Sequence, residues 1–494
     1  MQLKSLVLVV VITIIYGCAT NPVTGGQDLV LMSEKEEIEL GKQVNEETLK
    51  QYSLYNDLEL QNYVQYVGKK VAAKSHRSNL EYSFTVVDSP EVNAFALPGG
   101  YIYITRGLMG YLNSEAELAA VLGHEIGHVT ARHAVRQHSA TQLTGIGAAI
   151  GSIIGEAFIP GISSAGGQEL VGIAGTAMLS GYGRDHELEA DRLGAEYLAR
   201  SGYDPDAMLE VIGVLKDQEL FEIKLAREEN RAPRIYHGVF STHPDNDTRL
   251  QEVIGPARAI KAASTEATFI GSTEYLQRID GMVYGENTDQ GLIKGRDFYH
   301  GDMGFAMRFP QGWVIQNLPD RLLAGSANGT AMMQALVQGK DPRLDPRGFM
   351  EQRMGLTQVT NGQALTVNGL PAYTGTTIVN TDVGKRQVRI TVIYLENSAF
   401  VFMGRTADPN GLGVYNNAFM ETIRSFRPLT NEERDVATRS DRIKILRADE
   451  TTSFTSLSSS TSLDKFPEQQ LRLINGMYPT GDIKSGELVK SVQN

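Results

Sequence analysis

Two histidines and a glutamate stand at a spacing that suits metal chemistry. The run HEIGH at residues 124–128 matches the pattern H-E-x-x-H. On a helix, residues i and i+4 project from the same face, so His124 and His128 can bind one ion with Glu125 beside it as a candidate base. The alternative is a pair of satisfied core histidines. The motif lies inside a well-capped amphipathic helix, which favours a catalytic zinc site.

Such a zinc ion needs a third protein ligand and an open position for water. His133 lies five residues after the motif. On a continuous helix this is about 140° around the axis, so His133 is predicted to face away. His138 has an acceptable angle but stands about 21 Å along the axis from the first motif histidine. The metzincin pattern fails because Ala131 replaces its glycine and Ala134 its third histidine. The third ligand must come from another helix.

The best candidate is Glu187, in the run HELEAD that begins at His186. Glu187 and Asp191 share a helical face at i, i+4, so one carboxylate can ligate while the other orients a ligand. A zinc-bound histidine usually donates its second N–H to a carboxylate, and Asp191 is suited to that role. A solvated acidic face is the alternative, and Glu189 fits that alternative well.

These features resemble the zinc endopeptidase family that includes BepA, HtpX and the CAAX prenyl protease, metallopeptidase family forty-eight. The resemblance covers about residues 21–253. It rests on NPVTG (21–25), NAFALPGG (93–100), HEIGH (124–128), ELEAD (187–191) and STHP (241–244), with Arg249. It implies a gluzincin-type peptidase domain, mainly α-helical with a small β-sheet.

The resemblance also implies roles for individual residues. His124, His128 and Glu187 would hold one Zn²⁺ per chain, and Glu125 would be the general base. Zinc lowers the pKa of a bound water to about 7 and polarises the scissile carbonyl, so activated water could attack a peptide bond. Glu125 would take the proton of that water and deliver it to the leaving amine.

Two further residues match the family near the metal. His243 would either stabilise the oxyanion or occupy the fourth coordination position and silence the enzyme. Arg249 would support the site from outside the ligand set, or it is a plain helix-surface arginine.

Two segments could handle the substrate. Tyr101, Ile102 and Tyr103 belong to an alternating strand, 101–105, that follows Gly100, and an extended polypeptide could add to this segment by main-chain hydrogen bonds. The alternative is a strand that is paired on both sides. The glycine-rich segment 145–183 lies between the two ligand-bearing helices and is predicted to act as a lid, with core packing or lipid contact as alternatives.

The N-terminus has the features of a signal peptide. A lysine precedes an apolar run, 5–16, that is too short to span a bilayer comfortably, and small residues follow it. Cys18, the one cysteine of the chain, ends a segment that resembles a bacterial lipobox and would carry the lipid. The alternative is an incidental cysteine. By analogy with envelope lipoproteins, Ala19 after it favours the outer membrane, with the protein facing the periplasm.

Length and composition limit the number of domains, the class of protein and the kinds of partner. A chain of 494 residues exceeds one ordinary core, and 41% hydrophobic with 21% charged residues is typical of globular domains. The net charge of −12 and the lack of a basic aromatic-rich face exclude nucleic acid as a partner.

The chain is predicted to be a multidomain α+β protein. Residues 1–18 are the signal peptide with its lipobox, and 19–265 the zinc metallopeptidase domain. Residues 266–430 form an α+β accessory domain that resembles the PsbP/Mog type. Residues 431–494 form a small module that resembles a LysM glycan-binding unit or is a structural appendage.

The leading hypothesis is a zinc endopeptidase that hydrolyses misfolded or unassembled envelope proteins. The first alternative is a periplasmic chaperone or outer-membrane assembly factor with a latent zinc site. A cell-wall-tethered scaffold is the second alternative. Expected partners are polypeptide substrates, the membrane through the lipid, and peptidoglycan or the outer-membrane assembly machinery.

Overall fold

The computed structural model describes residues 18–144, 182–228, 255–259, 261–263, 268–381 and 384–494. They form a mixed α/β, multidomain structure. The elements up to residue 228 are, in chain order, β1 (Cys18–Thr20), β2 (Gln27–Leu29), α1 (Glu34–Thr48), α2 (Leu58–Ala72), β3 (Ser83–Val87), β4 (Ala94–Leu97), β5 (Tyr101–Thr105), α3 (Arg106–Met109), α4 (Glu115–Thr130), α5 (His133–Thr144), α6 (Arg184–Arg200) and α7 (Ala207–Glu228).

The larger sheet of this first part has three strands in the order β3-β5-β4, and β1 and β2 form a separate pair. β3 runs parallel to β5, and β4 runs antiparallel to it. The prediction of a free edge at Tyr101 to Tyr103 is therefore wrong, because β5 is hydrogen-bonded on both sides. Gly100 lies in the short turn before β5. The two outer strands are β3 and β4, and the one whose backbone contacts the motif helix is β4. Its four residues form a short apolar run without alternation, so periodicity alone does not identify them as a strand.

Helix α4 carries the H-E-x-x-H motif and begins where the sequence predicts. The Ser114 side chain accepts the N–H of Glu117 at 3.1 Å, and the Glu117 carboxylate accepts the N–H of Asn113 at 2.9 Å. Every residue of α4 is buried. Charged motif residues in such a place require partners of their own, because an unpaired buried polar group is costly.

Glycines let α4 and α6 approach each other closely. A Cβ atom on Gly127 would lie 2.8 Å from the carbonyl oxygen of Ala190, and one on Gly194 would lie 2.9 Å from the backbone nitrogen of His124. No side chain larger than hydrogen fits at either position without a shift of the backbone. The close approach brings the histidines of α4 within reach of the carboxylates of α6.

The motif helix ends earlier than predicted. The sequence predicts one helix to about Gln137, whereas α4 ends at Thr130 and α5 begins at His133. Arg132 between them is left-handed, with φ 55°. Its guanidinium donates to Glu37 Oε2 at 2.7 Å and to the carbonyl of Met32 at 2.9 Å. These distant contacts hold a conformation that non-glycine residues rarely adopt.

The second part of the chain is rich in strands. Its elements are α8 (Ser272–Ile279), β6 (Leu292–Lys294), β7 (Asp297–His300), β8 (Phe305–Arg308), β9 (Trp313–Asn317), β10 (Leu322–Ser326), β11 (Ala331–Gly339), α9 (Pro346–Gly348), β12 (Thr360–Val367), β13 (Leu370–Thr381), β14 (Gly384–Leu395), β15 (Ser398–Thr406), α10 (Leu412–Ser425), β16 (Arg427–Pro428), α11 (Asn431–Ala437), β17 (Arg442–Arg447), α12 (Phe454–Ser458), α13 (Pro467–Ile474) and β18 (Leu488–Gln493).

Two antiparallel sheets build the accessory domain. One has the order β12-β13-β14-β15-β11-β10-β9, and the other β16-β8-β7-β6. Phe305, Phe400, Phe419 and Phe426 belong to the core that they share with α10.

The C-terminal segment packs against the hydrophobic core of the first part of the chain. Residue Ile443 of β17 is fully buried in that core, together with Tyr275 and Ile279 of α8, which lie beyond the predicted boundary at 265. Lys490 of β18 is also buried, and its Nζ donates to the carbonyls of Gly110 (2.9 Å) and Leu112 (2.8 Å). β17 and β18 pair antiparallel around α12 and α13. The likeness to LysM remains a prediction.

Among the described residues, no helix has the length and apolar character that crossing a bilayer requires.

Candidate metal centre

The two motif histidines meet on the buried face of α4. Their Nε2 atoms lie 2.9 Å apart, and the rings stand edge to face at 75°. His124 is fully buried and His128 is 3% exposed. Two ring nitrogens at this separation in a dry interior need a proton or a cation between them, because their lone pairs otherwise repel each other.

Glu187 of α6 completes a group of three possible ligands. Its Oε2 lies 3.6 Å from His124 Nε2 and its Oε1 lies 3.7 Å from His128 Nε2. The three ligand atoms all lie within 4.8 Å of one another. Two imidazoles and a carboxylate from two helices are the ligand types that zinc takes in catalytic sites.

Asp191 lies one helical turn beyond Glu187 and contacts the other side of His124. Its Oδ1 is 2.7 Å from His124 Nδ1. Because an ionised carboxylate only accepts hydrogen bonds, His124 must donate from Nδ1, which leaves the lone pair of Nε2 directed at the other ligands. This tautomer is the one that binds a metal through Nε2. The donor set therefore fits a zinc ion.

Glu125 occupies a dry position between α4 and the outer strand β4. Burial raises the pKa of its carboxyl to about 8, and a hydrogen bond from the Ala96 N–H opposes that shift. Its Oε1 has no hydrogen-bond partner among the described residues. A nearby cation would lower the pKa again. A buried carboxylate with one unused oxygen is suited to accept a proton.

A second set of groups surrounds His128. Its Nδ1 lies 2.8 Å from Nδ1 of His133, whose Nε2 lies 3.1 Å from Glu189 Oε2. Arg136 Nη1 donates to the same Glu189 oxygen at 2.9 Å. The prediction that His133 faces away is wrong, because the left-handed turn at Arg132 replaces the continuous helix on which it was based.

Glu189 is also not the solvated residue that the sequence favours. Its side chain is about one quarter exposed, and the hydrogen bond from His133 and that from Arg136 hold the pKa of its carboxyl at about 2. Burial lowers the pKa of the His133 imidazole to about 4, so this ring is neutral at pH 7.

Tyr182 is a site residue that no sequence signal indicates. Its ring stacks on His128 with 4.2 Å between centroids and 22° between planes. Burial, with Glu125 and Glu187 nearby, raises the pKa of its hydroxyl, which keeps that hydroxyl protonated. Only the tertiary fold shows that a residue directly before α6 reaches the motif helix.

The other predicted site residues are placed as follows. His138 is buried but is not part of the metal group. The backbone of Cys18 lies in β1. His243 and Arg249 lie outside the described residues, as does the predicted lid apart from Tyr182 and Gly183.

Comparison with known proteins shows which family part of this chain is similar to. Residues 59–257 match the model of peptidase family M48. The "Beta-barrel assembly-enhancing protease" of Escherichia coli K12 is 35% identical over 215 residues, which are 42% of this chain and 41% of the relative. The "Mitochondrial metalloendopeptidase OMA1" of Arabidopsis thaliana is 35% identical over 138 residues, 28% of this chain and 26% of the relative.

The matched part is thus less than half the length of these curated relatives. Among solved structures, cyanobacterial PsbP from Synechocystis is similar at 13% identity and a TM-score of 0.23, over 29% of this chain and 98% of that one. Ran-binding protein Mog1p of Saccharomyces cerevisiae is similar at 11% identity and a TM-score of 0.21, over 29% of this chain and 99% of that one.

Fold and site together define a metallopeptidase-type centre, in which two helices bring a His-His-Glu group beside a buried glutamate. The segment that contains this centre, residues 59–257, is the part of the chain that matches peptidase family M48.

Proposed function

We propose that this protein is a zinc-dependent endopeptidase of the bacterial envelope. One observation carries the proposal: the ligand atoms of His124, His128 and Glu187 lie within 4.8 Å of one another in a buried space. The family match of residues 59–257 supports the same activity. One zinc ion per chain would occupy the group.

The residues divide the chemistry among them. His124, His128 and Glu187 would hold the zinc ion, which when bound supplies Lewis acidity toward water and the scissile carbonyl. Glu125 accepts the proton of the attacking water, because its Oε1 is buried and free of other donors among the described residues. Glu125 then passes this proton to the leaving amine. His243 remains the candidate that stabilises the oxyanion or closes the site.

An extended substrate would add to β4 rather than to β5. β4 has one hydrogen-bonded neighbour among the described strands, and the N–H of its Ala96 already contacts Glu125. A polypeptide that pairs with this outer strand would therefore run past the general base. Main-chain pairing gives little sequence selectivity, which suits a protease that acts on unfolded segments.

The substrates we propose are misfolded or unassembled envelope proteins. The name of the Escherichia coli relative, a protease that enhances β-barrel assembly, supports this class. The predicted signal segment and Cys18 lipobox support a location in the periplasm, with a lipid in the outer membrane. The accessory domain and the C-terminal module would bind or position partners such as the assembly machinery or peptidoglycan.

The test uses the full chain with one equivalent of zinc and fluorescently labelled casein as an unfolded substrate. Wild-type protein should release peptides, and Glu125→Gln should lose at least about 100-fold in rate while it retains zinc. Glu196→Gln is the matched control, since Glu196 lies on α6 but pairs with Arg200 at the surface. Zinc-loaded wild-type and His243→Ala proteins that both leave casein intact would contradict the protease and favour the assembly factor.

A further inference from the structure

We propose that His133 is a positioning residue that orients the metal ligand His128, and that Glu189 and Arg136 hold it in place. The inference rests on the metal site of the proposed function and deepens it. His124 already has a carboxylate partner in Asp191. His128, the second imidazole ligand, has His133 as its partner, and His133 in turn contacts the carboxylate of Glu189.

The backbone makes this contact possible. A continuous helix would turn His133 away from His128, but α4 stops at Thr130 and Arg132 adopts φ 55°. This change of backbone direction places Nδ1 of His133 2.8 Å from Nδ1 of His128. Arg132 is held by Glu37, which also accepts Arg77 Nη1 at 2.8 Å. Buried ion pairs thus maintain a costly backbone conformation beside the proposed metal site. Such conformations tend to occur where they serve a function.

The hydrogen-bond inventory gives the direction of each contact. A histidine that binds a metal through Nε2 carries its proton on Nδ1, so His128 donates from Nδ1. His133 must then accept at its own Nδ1 and carry its proton on Nε2. That Nε2–H points at Glu189 Oε2, 3.1 Å away, which accepts it. One consistent set of protons satisfies every nitrogen in the series.

The end of the series is fixed by charge. Arg136 Nη1 donates to Glu189 Oε2 at 2.9 Å, and Arg136 Nε lies 3.6 Å from Asp28 Oδ2. His186 stacks on His133 with 4.3 Å between ring centroids. The His133 ring is therefore held by one hydrogen bond on each nitrogen and by an aromatic face, which leaves it little freedom to release His128.

A role as an ordinary buried residue predicts a different result from a role in orientation. If His133 only fills space, a ring of similar size should replace it. If it orients His128, an acceptor at the position of Nδ1 is what matters. Removing the outer partner of a metal-bound histidine typically lowers metal affinity about 10- to 100-fold.

The experiment measures zinc affinity of the full chain by competition with a chromophoric chelator, independently of proteolysis. His133→Phe keeps a ring without an acceptor and should bind zinc about 10- to 100-fold more weakly. His133→Asn offers its amide oxygen near the place of Nδ1 and should recover most of the affinity. The visible spectrum of the cobalt-substituted protein should change in the Phe variant and return toward wild type in the Asn variant.

His76→Phe is the matched control. His76 also makes an Nδ1 contact, at 2.7 Å to the Tyr197 hydroxyl, and lies 4.0 Å from a carboxylate oxygen of Glu196, yet it touches no proposed ligand. Its zinc affinity should equal that of wild type. Thermal unfolding of each metal-free protein separates lost folding from lost affinity.

Three results would overturn the inference. The first is a folded His133→Phe protein with wild-type affinity, and the second is a folded Asn variant as weak as the Phe variant. A wild-type protein that binds no zinc would remove the metal site itself, and with it the proposed function.

Discussion

His124 Nδ1 lies 2.7 Å from Asp191 Oδ1, and both side chains are fully buried between α4 and α6. The contact joins residues that are 67 positions apart in the chain. It fixes the histidine tautomer and thereby the direction in which Nε2 points. It also places a buried carboxylate where it accepts the proton of the histidine ligand, so the orientation of His124 depends on Asp191.

Replacing Asp191 should therefore weaken zinc binding more than it weakens the fold. Asp191→Asn retains an acceptor but loses the charge, and we expect zinc affinity to fall about 10- to 100-fold. Chelator competition gives the affinity, and Glu196→Gln on the same helix is the control. An Asp191→Asn protein with wild-type zinc affinity would contradict the assignment.

Zinc removal should lower stability, because a ligand that binds only the folded state stabilises it by mass action. At free zinc 100 times the dissociation constant, the gain is about 2.7 kcal/mol. Addition of a strong chelator should therefore lower the unfolding temperature of the wild-type chain by several degrees. Glu187→Gln, which lacks one of the three ligands, should respond much less. Equal responses of the two proteins would argue against Glu187 as a ligand.

The close packing of α4 against α6 should leave no room for a methyl group at Gly127. A Cβ there would lie 2.8 Å from the Ala190 carbonyl oxygen, so Gly127→Ala should cost about 1–3 kcal/mol of unfolding free energy. Gly213→Ala on α7 is the control, since nothing lies within 4 Å of that added Cβ. Alanine has the higher helix propensity, so the control should gain about 0.5–1 kcal/mol. Urea unfolding measures both, and a neutral Gly127→Ala would contradict the packing argument.

The buried lysine of β18 should be important for stability. Burial lowers the pKa of Lys490, and the nearby Glu117 carboxylate acts in the opposite direction. Lys490→Met leaves the carbonyls of Gly110 and Leu112 without their donor and Glu117 without its cation, so we expect a loss of about 3–5 kcal/mol.

Lys444→Met is the control for that experiment. Lys444 lies on the neighbouring strand β17 and pairs with Asp280 at 3.0 Å, but both side chains are substantially exposed. Such surface pairs contribute about 0–1 kcal/mol. Addition of Glu117→Gln to Lys490→Met should recover part of the loss, since no unpaired buried carboxylate then remains. Equal effects of the two lysine substitutions in denaturant unfolding would refute a special role for Lys490.

Short-range sequence patterns were sufficient to predict where the motif helix begins and which carboxylates lie near its histidines. The Ser114 cap, the i, i+4 spacing of the histidines and that of Glu187 and Asp191 are all short-range patterns, and secondary structure formed from them is predictable.

Long-range tertiary contacts determine the features of the site that the sequence did not predict. The left-handed Arg132 depends on Glu37 and Met32, which lie about a hundred residues away, and no pattern near Arg132 announces it. That one residue determines whether His133 faces solvent or His128. The order of strands in the sheet is similarly a long-range property, because a short apolar run such as β4 has no periodicity of its own.

Lys490 also sets an order of events during synthesis. A nascent chain that has emerged only as far as α6 contains His124, His128 and Glu187, but the carbonyls of Gly110 and Leu112 before the motif helix still lack their donor. These carbonyls gain their donor only when β18, 380 residues further along the chain than Gly110, has been made and has packed against them.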